Sequence, residues 1–170
     1  MGRPKALVDD WLVRGVRALR EGGCPNVVVV LGASAHEASG LLAGTDADVV
    51  ISGDWEDGMS ASLRTGLARL EASPENDACR AALVTLVDLP DVGAPVVRRV
   101  LDAAGDGTAA LARATYDGRP GHPVLLGRDH WRDIRLSSHG DRGARDYLAD
   151  HDPVLVECGD LATGEDRDRP

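Results

Sequence analysis

The sequence predicts an α/β domain built on a doubly wound, mostly parallel sheet. Short apolar runs alternate with stretches whose apolar residues recur every three or four positions, and the connections between them are short. The apolar residues are overwhelmingly Val, Leu and Ala, which pack parallel strands and covering helices without large aromatic anchors. At 170 residues the chain fits a single domain, 1–170, with one active site.

Taken in order, Val8, Trp11, Leu12, Val16 and Leu19 define one apolar face of a helix over residues 6–21, with Gly22-Gly23 as its stop. Residues 26–31 read as a short strand buried on both sides, ending at Gly32, and Ser34 is placed to cap a helix over 35–43. A second strand spans 48–52, followed by a polar, glycine-containing connection and a helix over 60–71. Residues 72–77 read as a surface loop. A third strand over 81–87 closes on Asp88-Leu89-Pro90, and a helix over 95–104 follows it. The stretches 109–116 and 122–126 read as two strands joined by residues 117–121, a local antiparallel addition to the sheet. A short helix over 142–148 and a last strand over 154–157 complete the pattern, with no internal repeat or low-complexity tract.

The net charge of -9 opposes a nucleic-acid partner but permits small phosphorylated ligands, because a few cations and a divalent metal govern a cleft whatever the outer surface carries. Cys24, Cys79 and Cys158 follow no paired metal or redox spacing and read as buried cytosolic thiols. Charged residues through positions 1–22 exclude a secretory apolar core, and no apolar run reaches membrane-spanning length; the expectation is a cytoplasmic protein that does not engage a membrane.

Ligands of open α/β sheets collect outside the carboxyl ends of the strands, so residues there are the candidates for chemistry. Asp88 either holds Mg²⁺ or satisfies the amides of a turn. Gly2, Arg3 and Lys5 suit the approach of a phosphate, or form a frayed basic terminus. Gly58, Ser60 and Ser62 put free amides and hydroxyls at a helix start, for a base edge or ribose or for plain capping by Ser60. His122 is positioned by Gly121 and Pro123 for ligand contact or for a structural role. Asp141 is a good helix cap, and Arg142 and Arg145 are phosphate partners or a solvated face. The acidic tail from Asp160 onward has the composition of a disordered end; on the functional alternative, one of its carboxylates folds back toward Asp88 and completes a metal site.

In this order the segments resemble the MobA-like NTP transferase family, and within it the molybdenum cofactor cytidylyltransferases. Met1-Gly2-Arg3-Pro4-Lys5 is similar to the second half of the family's glycine-rich signature, with Lys5 on the phosphate-binding lysine. Trp55, Gly58, Met59, Ser60, Ser62, Leu63 and Gly66 match the stretch that helps bind base and ribose, and Leu86, Asp88 and Pro90 match Leu-x-Asp-x-Pro, whose aspartate binds magnesium. Gly121-His122-Pro123 resembles the substrate-side Gly-His-Pro. Gly140-Asp141-Arg142-Gly143-Ala144-Arg145 resembles the Gly-Asp-x-Gly-Ala-Arg of the cytidylyltransferase branch. Asp166-Arg167-Asp168-Arg169-Pro170 resembles Asp-Ile-Asp-Thr-Pro, which makes Asp168 the second metal ligand.

The resemblance implies a Rossmann-like nucleotidyltransferase fold and a Mg²⁺-dependent transfer of CMP from CTP to the terminal phosphate of molybdopterin or molybdenum cofactor, with release of pyrophosphate. Asp88 and Lys5 are then the catalytic residues, Gly2, Lys5, Gly58, Ser60 and Ser62 bind the nucleotide, His122, Asp141 and Arg145 bind the acceptor, and Asp88 and Asp168 hold the metal. Two departures set further expectations: the chain begins inside the signature, without the family's first strand and glycine loop, and it ends where relatives continue into a last helix. Same-fold transfer from GTP or to another phosphorylated acceptor is an alternative. Another is a non-catalytic module that binds a molybdenum hydroxylase.

Overall fold

The computed structural model describes residues 7, 10–73 and 78–167; the expectations that fall on Gly2, Lys5 and Asp168, on the start of the first helix and on most of the 72–77 loop lie outside the described residues. Helix α1 (Trp11–Gly22) buries Trp11, Leu12 and Val16. It stops where Gly23 turns to φ 118° and returns its amide to the Leu19 and Arg20 carbonyls, the left-handed cap that glycine adopts without a Cβ clash. Strand β1 (Val28–Leu31), helix α2 (Ala35–Leu41) and strand β2 (Asp48–Ile51) follow, and β1 and β2 pair in parallel from Val28↔Asp48 to Leu31↔Ile51. Leu12, Val16, Val29, Leu31, Ala38 and Leu42 make the core of this half.

Helix α3 (Met59–Ala72) leads to strand β3 (Ala81–Val84), helix α4 (Ala94–Ala104) and strands β4 (Leu111–Tyr116) and β5 (Arg119–Gly127). Helices α5 (Trp131–Ser137) and α6 (Arg145–Ala149) and strand β6 (Val154–Glu157) complete the chain. The second sheet has the order β3-β5-β4-β6. Strand β5 runs antiparallel to both β3 and β4, and β4 is parallel to β6, so only β5 opposes the common direction. Side chains alternate between two cores as the pleat requires. Leu125, Ala112, Ala114 and Tyr116 meet Val96 and Val100 of α4, whereas Val124, Leu126 and Leu111 meet Leu67, Trp131, Ile134 and Leu148 on the opposite side. Helices thus cover both faces, as a doubly wound sheet demands.

Among the described residues, neither the second edge of β1 nor that of β3 pairs with a strand, and the sheet is divided there. A cavity of about 90 Å³ opens at this division, lined by Trp11, Arg14 and Leu19 of α1 and by Thr85, Leu86 and Val87. Strand β3 is shorter than the expected 81–87. Continuing its register beyond Val84↔Val124 would set Thr85 against Pro123, which has no N–H to donate. Residues 85–87 therefore run on as irregular chain, and Val87 packs against the core of the first half.

Three further expectations change. The connection between β4 and β5 is a two-residue turn, Asp117 at φ 50° and Gly118 at φ 75°, so β5 begins at Arg119 and not His122. Helix α5 has no counterpart in the sequence reading; Trp131 anchors it, fully buried, with its indole N–H donating to the Leu126 carbonyl at 2.8 Å. The tail is held through Arg167. Thr163 donates both its amide and hydroxyl to Asp91, and the Arg167 amide donates to the Asp88 carbonyl at 2.9 Å. No helix among the described residues is long and apolar enough to cross a membrane.

Two local devices fix the loops around the strand ends. The Glu157 carboxylate accepts from the Asp117, Gly118 and Gly159 amides and from the Thr115 hydroxyl, tying the β4–β5 turn to β6. At the start of α3, Gly58 adopts φ 91° and ψ -170°, a region essentially confined to glycine. A Cβ there would lie 2.8 Å from the Gly140 carbonyl carbon, because the turn at 140–143 closes directly over it. That turn supplies the α3 cap: Asp141 Oδ1 accepts the Met59 amide at 3.3 Å, and Ser60 Oγ accepts the Gly143 amide at 3.1 Å. Asp141 caps α3 instead of the helix that follows it in sequence, and α6 begins only at Arg145.

The hydrogen bonds to Glu157 hold its pKa down to about 2, first those from the Gly159 and Gly118 amides. A depressed carboxyl contributes stability that is complete above its unfolded value and fades as pH falls through the folded one. Glu157→Gln is expected to lower the Tm at pH 7, and the gap to the parent should close between about pH 4.5 and pH 2, as followed by thermal melts across that range. Gly58→Ala is expected to destabilise the fold by about 1–3 kcal/mol through backbone strain, with a lower denaturant midpoint and an unchanged slope.

Candidate active site

The break in pairing between β4 and β5 builds the centre of the site. Arg113 pairs with Val124, but the next pair, Thr115 with Pro120, leaves extra residues on β5, so Gly121, His122 and Pro123 bulge from the ladder. The bulge is braced on both sides. Arg113 Nε donates to the Gly121 carbonyl at 3.1 Å, and the Tyr116 hydroxyl donates to the His122 carbonyl at 2.6 Å. Gly121 has to be glycine because a Cβ would sit 2.7 Å from the Tyr116 ring.

His122 is held neutral. Burial and then the positive charge of Arg113 push its pKa down to about 4, against a weaker opposing pull from Asp88. Asp88 is buried, 7% exposed, just beyond the end of β3. Arg113 is itself shifted downward, first by burial and then by Arg145, the first residue of α6. Asp88, His122, Arg113 and Arg145 thus form one electrostatically linked group, assembled from the chain beyond β3 and from β5, β4 and α6. Tyr116 stays protonated, its pKa raised chiefly by burial.

The residues expected on the nucleotide side gather at the start of α3. Gly58 lies under the 140–143 turn, Ser60 is fully buried with its hydroxyl committed to Gly143, and Ser62 is half-buried further along the first turn. Trp55 is 42% exposed and stands against Gly32 at the end of β1, where a Cβ would be 2.7 Å from the indole side chain. The charges of Asp88 and Arg113 thus act on His122 and that of Arg145 acts on Arg113, whereas Gly58, Ser60 and Asp141 meet at the 140–143 turn.

A divalent cation fits Asp88 as one oxygen ligand at a strand end, the remaining positions falling to phosphate and water oxygens. Among the described residues no group of three or more His, Cys, Asp or Glu side chains could hold a metal by itself. The Arg167–Asp88 backbone bond does bring the tail to Asp88, in keeping with the fold-back alternative; Asp168 follows immediately in sequence.

Arg113 and Tyr116 escaped sequence reasoning. Arg113 occupies a strand of alternating apolar residues and belongs to no motif, and Tyr116 reads as an ordinary core aromatic. A charged residue at an interior strand position is the one local signal that singles out Arg113.

Comparisons with known proteins identify the family. The MobA-like NTP transferase domain matches residues 1–154. Nicotine blue oxidoreductase of Paenarthrobacter nicotinovorans is 31% identical over 173 residues, covering 98% of this chain and 80% of that protein. The crystal structure of Rv0371c from Mycobacterium tuberculosis H37Rv is 26% identical with a TM-score of 0.75, covering 92% of this chain and 79% of its own. A second structure of Rv0371c, also 26% identical with a TM-score of 0.73, is a complex with manganese and covers 92% of this chain and 81% of its own. A nucleotidyl transferase from Methanothermobacter thermautotroptrophicus, at 23% identity and a TM-score of 0.68, covers 86% of this chain and 69% of its own and shares the fold. A divalent cation thus accompanies this architecture in one relative, and with its Rossmann-like α/β frame the chain belongs to the MobA-like NTP transferase family of nucleotidyltransferases.

Proposed function

We propose that the chain transfers CMP from CTP to the terminal phosphate of molybdopterin or a related phosphorylated acceptor, releasing pyrophosphate. The observation that carries the reading is the buried Asp88, whose charge acts on His122, with the tail hydrogen-bonded through the Arg167 amide to the Asp88 carbonyl. Transfer of a phosphoryl-type group asks mainly for alignment and charge neutralisation. Asp88 and Asp168 are assigned as the residues that would hold Mg²⁺, which would supply neutralising positive charge to the reacting phosphates. Lys5 is assigned to the triphosphate, Gly2, Gly58, Ser60 and Ser62 to the nucleotide side, and His122, Asp141 and Arg145 to the acceptor side.

The neutral His122 supports the acceptor assignment, since it offers a hydrogen bond without adding charge beside Arg113. Use of GTP or of another phosphorylated acceptor is the nearest variant of the same chemistry. A molybdenum hydroxylase is the corresponding protein partner. A second reading comes from the 31% identity to a protein named nicotine blue oxidoreductase: on that reading the chain acts as an oxidoreductase.

Pyrophosphate release measured with CTP, GTP and a molybdopterin acceptor, beside consumption of NADH or NADPH with an aromatic acceptor, decides between the readings. CTP-dependent release without reductant consumption is expected; the reverse overturns the proposal. Asp88→Asn is expected to lower turnover by about 100-fold or more, the scale of losing one electrostatic stabiliser, and turnover within threefold of the parent would remove Asp88 from the metal site. His122→Ala should raise the KM for the acceptor more than that for CTP. Equal changes in the two values would return His122 to a purely structural role.

A further inference from the structure

Arg113 is poorly accounted for by the brace it provides. Its Nε is committed to the Gly121 carbonyl, but among the described residues its two terminal nitrogens meet no protein acceptor and the side chain has no carboxylate partner. A guanidinium brought out of water without a counter-charge is unfavourable unless something anionic arrives. Arg145 increases the imbalance. It is the next charge that Arg113 feels, it is positive, and it also lacks a carboxylate partner among the described residues, since Asp146 on the same helix is taken by Arg142.

The pleat places both on one side of the sheet. Arg113 lies two residues from Leu111, whose side chain packs in the core shared with Leu67 of α3 and Leu148 of α6, and α6 is the helix that Arg145 opens. His122 stands at the same point, neutral, so it adds a hydrogen-bonding group without further charge. Asp88, whose charge acts on His122 against that of Arg113, supplies the negative boundary of the group. Two forked guanidiniums without carboxylate partners among the described residues, near a neutral imidazole, match a tetrahedral oxyanion, which accepts several N–H bonds at once.

We infer that Arg113 and Arg145 together form the subsite for the phosphate monoester of the acceptor, with Arg113 as a specificity-determining residue. The inference rests on the acceptor side lying at His122, as proposed above, and it names the group recognised there. Arg113 has two tasks, holding the bulge through Nε and receiving the anion through its terminal nitrogens. Lysine can supply charge but neither the brace nor the fork.

Inorganic phosphate and phenyl phosphate, titrated calorimetrically into the protein in chloride buffer of fixed ionic strength without nucleotide or metal, test the subsite directly. Both should bind the parent. Arg113→Gln and Arg145→Gln should each weaken binding by about 10-fold or more, the double variant should lose less than the product of the two, and Arg113→Lys should remain well below the parent. CTP with Mg²⁺, titrated into the same variants, should bind as in the parent. Phosphate affinity within twofold of the parent in Arg113→Gln, or no binding to the parent, overturns the subsite. Should Arg113→Gln fail to show a cooperative melt, the exposed Arg145→Gln decides by the same twofold limit. Failure of the parent to bind CTP would count against nucleotidyl transfer while leaving the phosphate result to stand on its own.

Discussion

The constraint on which the site depends is the reversal of β5 between β3 and β4. An interior strand running against both neighbours must keep two hydrogen-bond ladders in register at once, and it does so from Val124 to Leu126. At Pro123 both ladders give way together. β3 loses its partner beyond Val84 and runs on to Asp88, while β4 resumes only at Thr115. One interruption thus releases the chain segment that carries Asp88 and lifts His122 out of the sheet, both at the same end of the strands. The candidate site residues are placed by the failure of regular pairing, on a scaffold that is regular immediately behind them.

What keeps this irregular region ordered is a set of bonds made by residues with no chemistry of their own. Tyr116 holds the His122 carbonyl and lies against Gly164 of the tail, Glu157 gathers the amides of the β4–β5 turn, and Asp91 pins Thr163. The tail therefore reaches Asp88 as a positioned segment. The helix start of α3 is fixed in the same manner from outside its own sequence, through Asp141 and Gly143. Asp141 is already committed to the Met59 amide and fixes the turn that leads to Arg145.

Much of this was legible from the sequence, because apolar periodicity and glycine punctuation are local signals. The strands around Val29, Val49, Leu83, Leu125 and Val156 lie where short apolar runs put them, and Asp88 and His122 are found from their neighbours in the chain. Helix α5 was missed although Trp131 and Ile134 are one turn apart, since its remaining residues are mostly polar and one face of a seven-residue helix shows little period. The order of the tail was hidden for a different reason. Its composition is that of a disordered end, and only contacts with Asp88, Asp91 and Tyr116, far away in sequence, hold it. Arg113 is the same case within the site, for its meaning comes from Gly121, His122 and Arg145, and none of these lies beside it on β4.

The family frame fixes less of the chemistry than the membership suggests, as a relative of 31% identity that carries an oxidoreductase's name makes plain. The relatives share the fold, and a fold by itself leaves the choice of ligand to particular side chains. The features that choose a ligand are charges without a partner in the fold, because a charge left unmatched disfavours every ligand that fails to match it. Among the described residues the positive excess lies at Arg113 and Arg145, on the His122 side. On the reading proposed above, the ligand presents an anionic group to the arginines and a metal-bound nucleotide to Asp88. A phosphorylated acceptor approaching a metal-bound nucleotide has that distribution of charge, whereas a neutral aromatic compound would leave the guanidiniums bare.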